Sequence, residues 1–142
     1  MKYLALDLGD RRIGVATSDA SGMIARPLLV FRRASRVEDF ARVADLVREQ
    51  QIDAVIVGLP INMDGTEGRQ AEWVRNYSAA LAGALPVPVH LWDERLTTEE
   101  AAEIMRAQGK QPTPGWIDAV AAAVILQSYL DAHPQQRGII PA

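Results

Sequence analysis

The chain of 142 residues contains no cysteine and only two histidines, His90 and His133. That excludes disulfides, thiolate metal centres and a cysteine nucleophile, and two imidazoles cannot build a histidine-rich zinc site. Lysine is scarce too: the 15 basic residues include only Lys2 and Lys110, the rest being arginine. Arginine's planar fork suits phosphate contact, although a GC-rich coding sequence gives the same bias. No apolar run reaches the roughly 18 residues that a membrane helix needs. The N-terminus enters a strand pattern at once, without a signal-peptide layout. A soluble, cytoplasmic protein with no membrane partner is expected. The net charge of −3 excludes a uniformly basic, nucleic-acid-coating surface, so any nucleic-acid binding requires a local patch.

What is present is enough for one core: 49% of the residues are hydrophobic, in a length typical of a single domain. Residues 2–9 alternate, with Leu4, Leu6 and Leu8 on one face and Tyr3, Ala5 and Asp7 on the other. A tight Gly9–Arg12 connection leads to a second strand at 13–18, and 24–31 reads as a third. Pro27 within it suggests an edge position or a bulge. The period then changes. Ser35 with Glu38 forms a capping box, and Val37, Phe40, Ala41, Ala44 and Val47 follow at helical spacing over 36–50. The apolar run 53–59 suits a strand covered on both faces. A loop at 60–66, a helix at 67–83 and a strand at 87–93 come next. Thr97 with Glu100 opens a helix to about 107. Thr113 as N-cap, with Pro114 at the first position, opens a last helix to about 130. The order βββαβαβαα predicts an α/β fold: a mixed five-stranded sheet, an antiparallel meander followed by parallel strands, with helices on both faces. This is the order of a ribonuclease H-like fold. Residues 1–131 are expected to form one domain, followed by an irregular tail at 132–142.

Three acids stand among apolar neighbours: Asp7 near the end of the first strand, Glu94 at the end of the last, and Asp118 early in a helix apolar almost all round. Each has a plain structural account. Asp7 can shape a turn. Glu94 can pair with Arg95 or Arg12. Asp118 can favour a helix N-terminus by about 0.3–1 kcal/mol. Jointly they say more. In this topology the first strand is central, the end of the last strand lies beside it, and a helix crossing the sheet brings Asp118 to the same edge. Two like charges about 4 Å apart repel by roughly 4 kcal/mol at an effective dielectric near 20. Such a cluster calls for cations. Oxygen donors without histidine or cysteine point to Mg²⁺ or Mn²⁺. Two such ions are a standard device for in-line hydrolysis of a phosphodiester.

The stretches DLGDRRIGVATSD (7–19), VGLPINMDGTEGRQA (57–71), DERLTT (93–98) and IDAVAAAVILQSYL (117–130) resemble, in order and spacing, the bacterial YqgF/RuvX family, related to the RuvC Holliday junction resolvases. The resemblance covers the chain to about residue 131. It implies a metal-dependent endonuclease, acting as a Holliday junction resolvase, as a nuclease maturing the 5′ end of precursor 16S rRNA, or both. The family's acidic triad falls on Asp7, Glu94 and Asp118. The expected partner is nucleic acid, branched DNA or precursor rRNA. A resolvase cutting two strands symmetrically would be a homodimer.

Arg11, Arg12, Arg69 and Arg95 flank these motifs and are the expected phosphate contacts. Arg32, Arg33 and Arg36 read rather as a solvated charge run. The loop at 60–66 admits two readings. Asn62 can meet a phosphate or base edge while Gly65 permits close backbone approach. Alternatively the loop is a rigid turn whose Asp64 and Thr66 cap the next helix. Several relatives carry a basic residue just before the last acid; here Trp116 stands there, and Lys110, the nearest lysine, is a further expected nucleic-acid contact. Trp116 reads as core in preference to a base-stacking platform. Two rivals remain at this point. An actin- or hexokinase-type ATPase also begins with DxG on a hairpin but needs two lobes. A non-catalytic nucleic-acid-binding or ribosome-assembly factor would have no use for three intact acids.

Overall fold

The computed structural model describes residues 1–107 and 114–134, without the side chains of residues 100 and 104. Lys110, Thr113 and the tail beyond 134 lie outside the described residues. The strands are β1 (Tyr3–Leu8), β2 (Arg12–Ser18), β3 (Ala25–Arg32), β4 (Ala54–Leu59) and β5 (Val89–Asp93). The helices are α1 (Arg36–Glu49), α2 (Arg69–Ala84), α3 (Glu99–Arg106) and α4 (Trp116–Ala132), with a 3₁₀ turn at Glu94–Leu96. The sheet order is β3-β2-β1-β4-β5. β1 pairs antiparallel with β2 and parallel with β4, and β4 pairs parallel with β5. The expected mixed sheet with a central first strand is therefore present. β3 is an edge strand, and its register against β2 slips between Val15 and Ala16, opposite Pro27. Both readings of Pro27 hold, since an edge and a bulge each spare the missing N–H.

The two sheet faces bury different side chains. Leu4, Leu6 and Leu8 pack with Val43, Leu46 and Val47 of α1 and Val74, Tyr77 and Leu81 of α2. On the opposite face Tyr3, Ala5, Ala16 and Ala54 meet the Ala119, Ala122, Ala123 and Leu126 surface of α4. Small residues on both sides let α4 lie close to the sheet. α3 covers its other flank through Met105, which is why α4 is apolar nearly all round. No described helix is long and apolar enough to cross a membrane.

Helix starts differ from the sequence reading in two places. Ser35 caps α1 as expected, accepting from Glu38 N at 3.2 Å. α3, however, is capped by Thr98, which accepts from Ala101 N at 3.1 Å. Thr97 instead closes the 3₁₀ turn, donating to the Glu94 carbonyl at 2.9 Å. α4 begins at Trp116 behind a left-handed Gly115 (φ +77°), not at Pro114.

Arg33 also departs from expectation. It is not part of a solvated charge run: its guanidinium donates to the carbonyls of Gly9 (3.0 Å) and Asp10 (2.9 Å) and lies 4.3 Å over the Trp73 ring. It thereby ties the β1–β2 turn to α2. Nearby, buried Asp39 accepts from Ala34 N at 2.9 Å and from the Tyr77 hydroxyl at 3.3 Å. That contact and burial push the Tyr77 hydroxyl's proton affinity up, burial contributing most.

Candidate active site

β1, β4 and β5 are parallel and end at one edge of the sheet, the usual place for ligands in open α/β sheets. Asp7 lies near the end of β1, on the face of Tyr3 and Ala5, toward α4. Glu94 follows β5 by one residue. The turn there is fixed by Asp93, which accepts from Arg95 N at 2.8 Å. Asp118 stands in the first turn of α4.

Two glycines bring these acids together. Gly14 pairs with Asp7 across β1 and β2, and a Cβ at Gly14 would collide with the backbone carbonyl of Asp118. The bare backbone of β2 is thus what lets α4 deliver Asp118 beside Asp7. On β4, a Cβ at Gly58 would come within 2.7 Å of Glu94 Oε1 and 2.6 Å of Ile125 Cδ1, so Gly58 makes room for the Glu94 carboxylate. Gly14 was not recognisable as a site residue from composition. Its position inside the run IGVATS is nevertheless the available signal, because a glycine within a strand marks close approach. Gly9 allows a close backbone approach. Its N–H closes the tight turn onto the Arg12 carbonyl at 3.0 Å, against which a side chain would crowd.

Asp7 and Glu94 line a cavity of about 440 Å³ between α3 and α4, with Thr97, Arg106, Ile117 and Val124 among its walls. Burial, and next the charge of Asp118, push the Asp7 carboxyl up to about 6. Burial, then Asp7, then Asp93, push Glu94 up to about 7. The carboxyls are close enough to oppose one another's ionisation, as two acids sharing a site do.

Asp118 belongs to this group electrostatically, and its carboxylate is held by Arg12, whose Nε donates to Asp118 Oδ2 at 2.8 Å. Among the described residues no three acidic or imidazole side chains stand together as a ready cation cage. The donor set still fits a hard divalent cation. Two half-buried carboxylates disfavour their own charge, have only oxygen to offer, and have a third carboxylate within electrostatic reach. Glu94 pairs with neither arginine suggested for it, because Arg12 holds Asp118 and Arg95 holds Asp93 at 2.8 Å.

Of the expected phosphate contacts, Arg11 is exposed on the β1–β2 turn and Arg69 is exposed at the start of α2. Arg12 and Arg95 are engaged by carboxylates. The loop at 60–66 is bonded within itself: Asn62 Nδ2 donates to Thr66 Oγ1 (3.0 Å), Thr66 N donates to Asp64 Oδ1 (2.9 Å), and Gly65 takes φ +87°. It is a rigid turn. It does not cap α2, however, whose N-cap is Gly68 without a side-chain bond. Trp116 packs against the α4-side core, as the core reading has it.

The model of the RuvX family, described as Holliday junction resolvase, matches residues 1–132. A relative from Anaeromyxobacter sp. (strain Fw109-5) is 49% identical over 135 residues, spanning 94% of this chain and 98% of its own. One from Syntrophus aciditrophicus (strain SB) is 44% identical, spanning 96% and 93%. Both are named as candidate pre-16S rRNA nucleases. Among solved structures, Thermus thermophilus RuvC superposes with a TM-score of 0.64 at 18% identity, covering 95% of this chain and 97% of that one. The same protein with a Holliday junction substrate gives 0.64 at 20% identity, covering 96% and 97%. At that identity the likeness shows the shared ribonuclease H-like fold. With family model, relatives and fold in agreement, the chain belongs to the RuvX family of nucleases.

Proposed function

We propose that this chain is a divalent-cation-dependent endonuclease that hydrolyses phosphodiester bonds in structured nucleic acid, with precursor 16S rRNA as its first candidate substrate. The observation that carries the reading is the pair of half-buried carboxyls, Asp7 and Glu94, held near neutral proton affinity at the ends of parallel strands, with Asp118 beside them. The choice of substrate follows the relatives, which at 44–49% identity carry the rRNA name. The junction-bound neighbour shares only the fold.

In this reading Asp7, central on the sheet, Glu94 and Asp118 would hold the cation. Bound Mg²⁺ or Mn²⁺ would supply Lewis-acid stabilisation of the charge that builds on the phosphate oxygens. The chain's own residues do the rest. Burial and neighbouring charge make ionisation of Asp7 and Glu94 costly, and a bound cation would offset that cost. The cavity between α3 and α4 gives the carboxyl pair an open approach on one side. Arg11, Arg69 and Arg95 lie around the same edge as contacts for the flanking backbone phosphates.

Cleavage of a precursor 16S 5′ fragment and of a four-way DNA junction, side by side with Mg²⁺ or Mn²⁺, tests this. Metal-dependent cutting of the rRNA fragment at a defined site is expected. Junction cutting alone, by a dimer, would move the assignment to resolution. Cutting of neither would favour a binding factor with the same fold.

A further inference from the structure

Arg12 reaches from the start of β2 to Asp118, and its place there is built. Gly115 is left-handed, and a Cβ on it would collide with the Arg12 side chain from Cδ to Cζ. The Arg12 carbonyl is fixed by Gly9 N at 3.0 Å. Gly14, two residues on, seats the backbone of Asp118. The ion pair is nevertheless open to solvent, with the two side chains 44% and 29% exposed. One carboxylate therefore has two claimants: the guanidinium that holds it, and whatever cation sits between Asp7 and Glu94.

We propose that Arg12 is a positioning residue that couples strand binding to cation loading. Without nucleic acid it holds Asp118 away from the Asp7–Glu94 pair. A backbone phosphate arriving at the β1–β2 turn takes the guanidinium and frees Asp118 to complete the cation site. The inference rests on the nuclease reading above. A guanidinium fits a carboxylate and a phosphate through the same fork of donors, so the exchange replaces one charge-assisted pair by another. A pair this exposed is also weak enough to yield. Releasing Asp118 adds a negative charge to the site only when a phosphate has arrived, so cation and strand each tighten the other's binding, as linkage requires.

The test is calorimetric titration of Mn²⁺ into the full chain, alone and with a short single strand carrying phosphorothioate linkages throughout. The proteins are wild type, Arg12→Gln, Arg12→Lys, Arg32→Gln and Asp7→Asn. Without strand, Arg12→Gln should bind Mn²⁺ about threefold to fivefold more tightly than wild type, the scale of a solvent-exposed ion pair. Arg32→Gln removes the same charge from the exposed residue paired with Arg12 across β2 and β3 and should stay near wild type. Adding the strand should tighten Mn²⁺ binding in wild type and Arg32→Gln, not in Arg12→Gln, and in part in Arg12→Lys. Equal behaviour of the two glutamine variants, or a strand effect that survives in Arg12→Gln, would overturn the coupling and leave the nuclease reading intact. Mn²⁺ binding that is the same in wild type and Asp7→Asn would overturn both.

Discussion

At Asp7 and Glu94, burial and mutual repulsion hold the protons on, at about 6 and about 7. In an unfolded chain these acids release their protons near pH 4. Between about pH 4 and 7 the folded state therefore binds more protons than the unfolded one, and stability falls as pH rises through that window. Asp7→Asn removes the cost. At pH 8 without divalent cation it should raise stability by on the order of 1–3 kcal/mol, a few degrees in Tm. At pH 3, where both groups are mostly protonated in either state, it should change little. Millimolar Mn²⁺ should raise the Tm of wild type and leave Asp7→Asn unmoved, because only the intact pair gains from the cation. Thermal melts at the two pH values, with and without Mn²⁺, check this. A variant destabilised equally at both would contradict it.

At the scale of elements, the approach of α4 to β2 decides where Asp118 stands. Gly14→Ala puts a methyl onto the Asp118 carbonyl. The helix must lift, at about 1–3 kcal/mol or more, since backbone rather than a flexible side chain is in the way. Denaturant melts should show that loss, and cleavage should fall beyond what the remaining folded fraction explains. Arg33→Ala frees the turn carbonyls of Gly9 and Asp10 and uncovers Trp73. A loss of about 1.5–3 kcal/mol is expected from its charged hydrogen bonds alone. Amide exchange should accelerate first in the β1–β2 turn, and unchanged exchange there would show that the clamp is not what orders it. Both features were hidden in the sequence for a physical reason. Periodicity reports which side chains face a core, so every strand and helix was legible, down to the edge position of β3. It does not report which backbone another element touches, or which arginine in a run points inward. The same limit displaced the starts of α3 and α4. Adjacent threonines compete for one cap, and a left-handed glycine can open a helix without any side-chain cap.

For the whole molecule, the three acids were legible because each is out of place among apolar neighbours and because a β1-central sheet can gather them. Their present pairing was not. The sequence offered Arg12 and Arg95 as phosphate contacts, and the structure has them on Asp118 and Asp93. Charges of opposite sign brought to one edge by the fold pair with each other. The fold brings two arginines expected to contact nucleic acid against acids of the same region, so in the proposed reading cation, strand and protons compete for the same groups.

The central claim is that Asp7, Glu94 and Asp118 act as one cation-holding site for phosphodiester hydrolysis. Single-turnover cleavage of the precursor 16S 5′ fragment by wild type, Asp7→Asn, Glu94→Gln and Asp118→Asn, with strand affinity measured in parallel, tests it most directly. Each substitution should slow cleavage by about a thousandfold or more, the several kcal/mol that cation stabilisation of the transition state supplies, while strand affinity stays within about threefold. Cleavage by Asp7→Asn or Glu94→Gln at a rate near wild type, with the strand still bound, would contradict the claim.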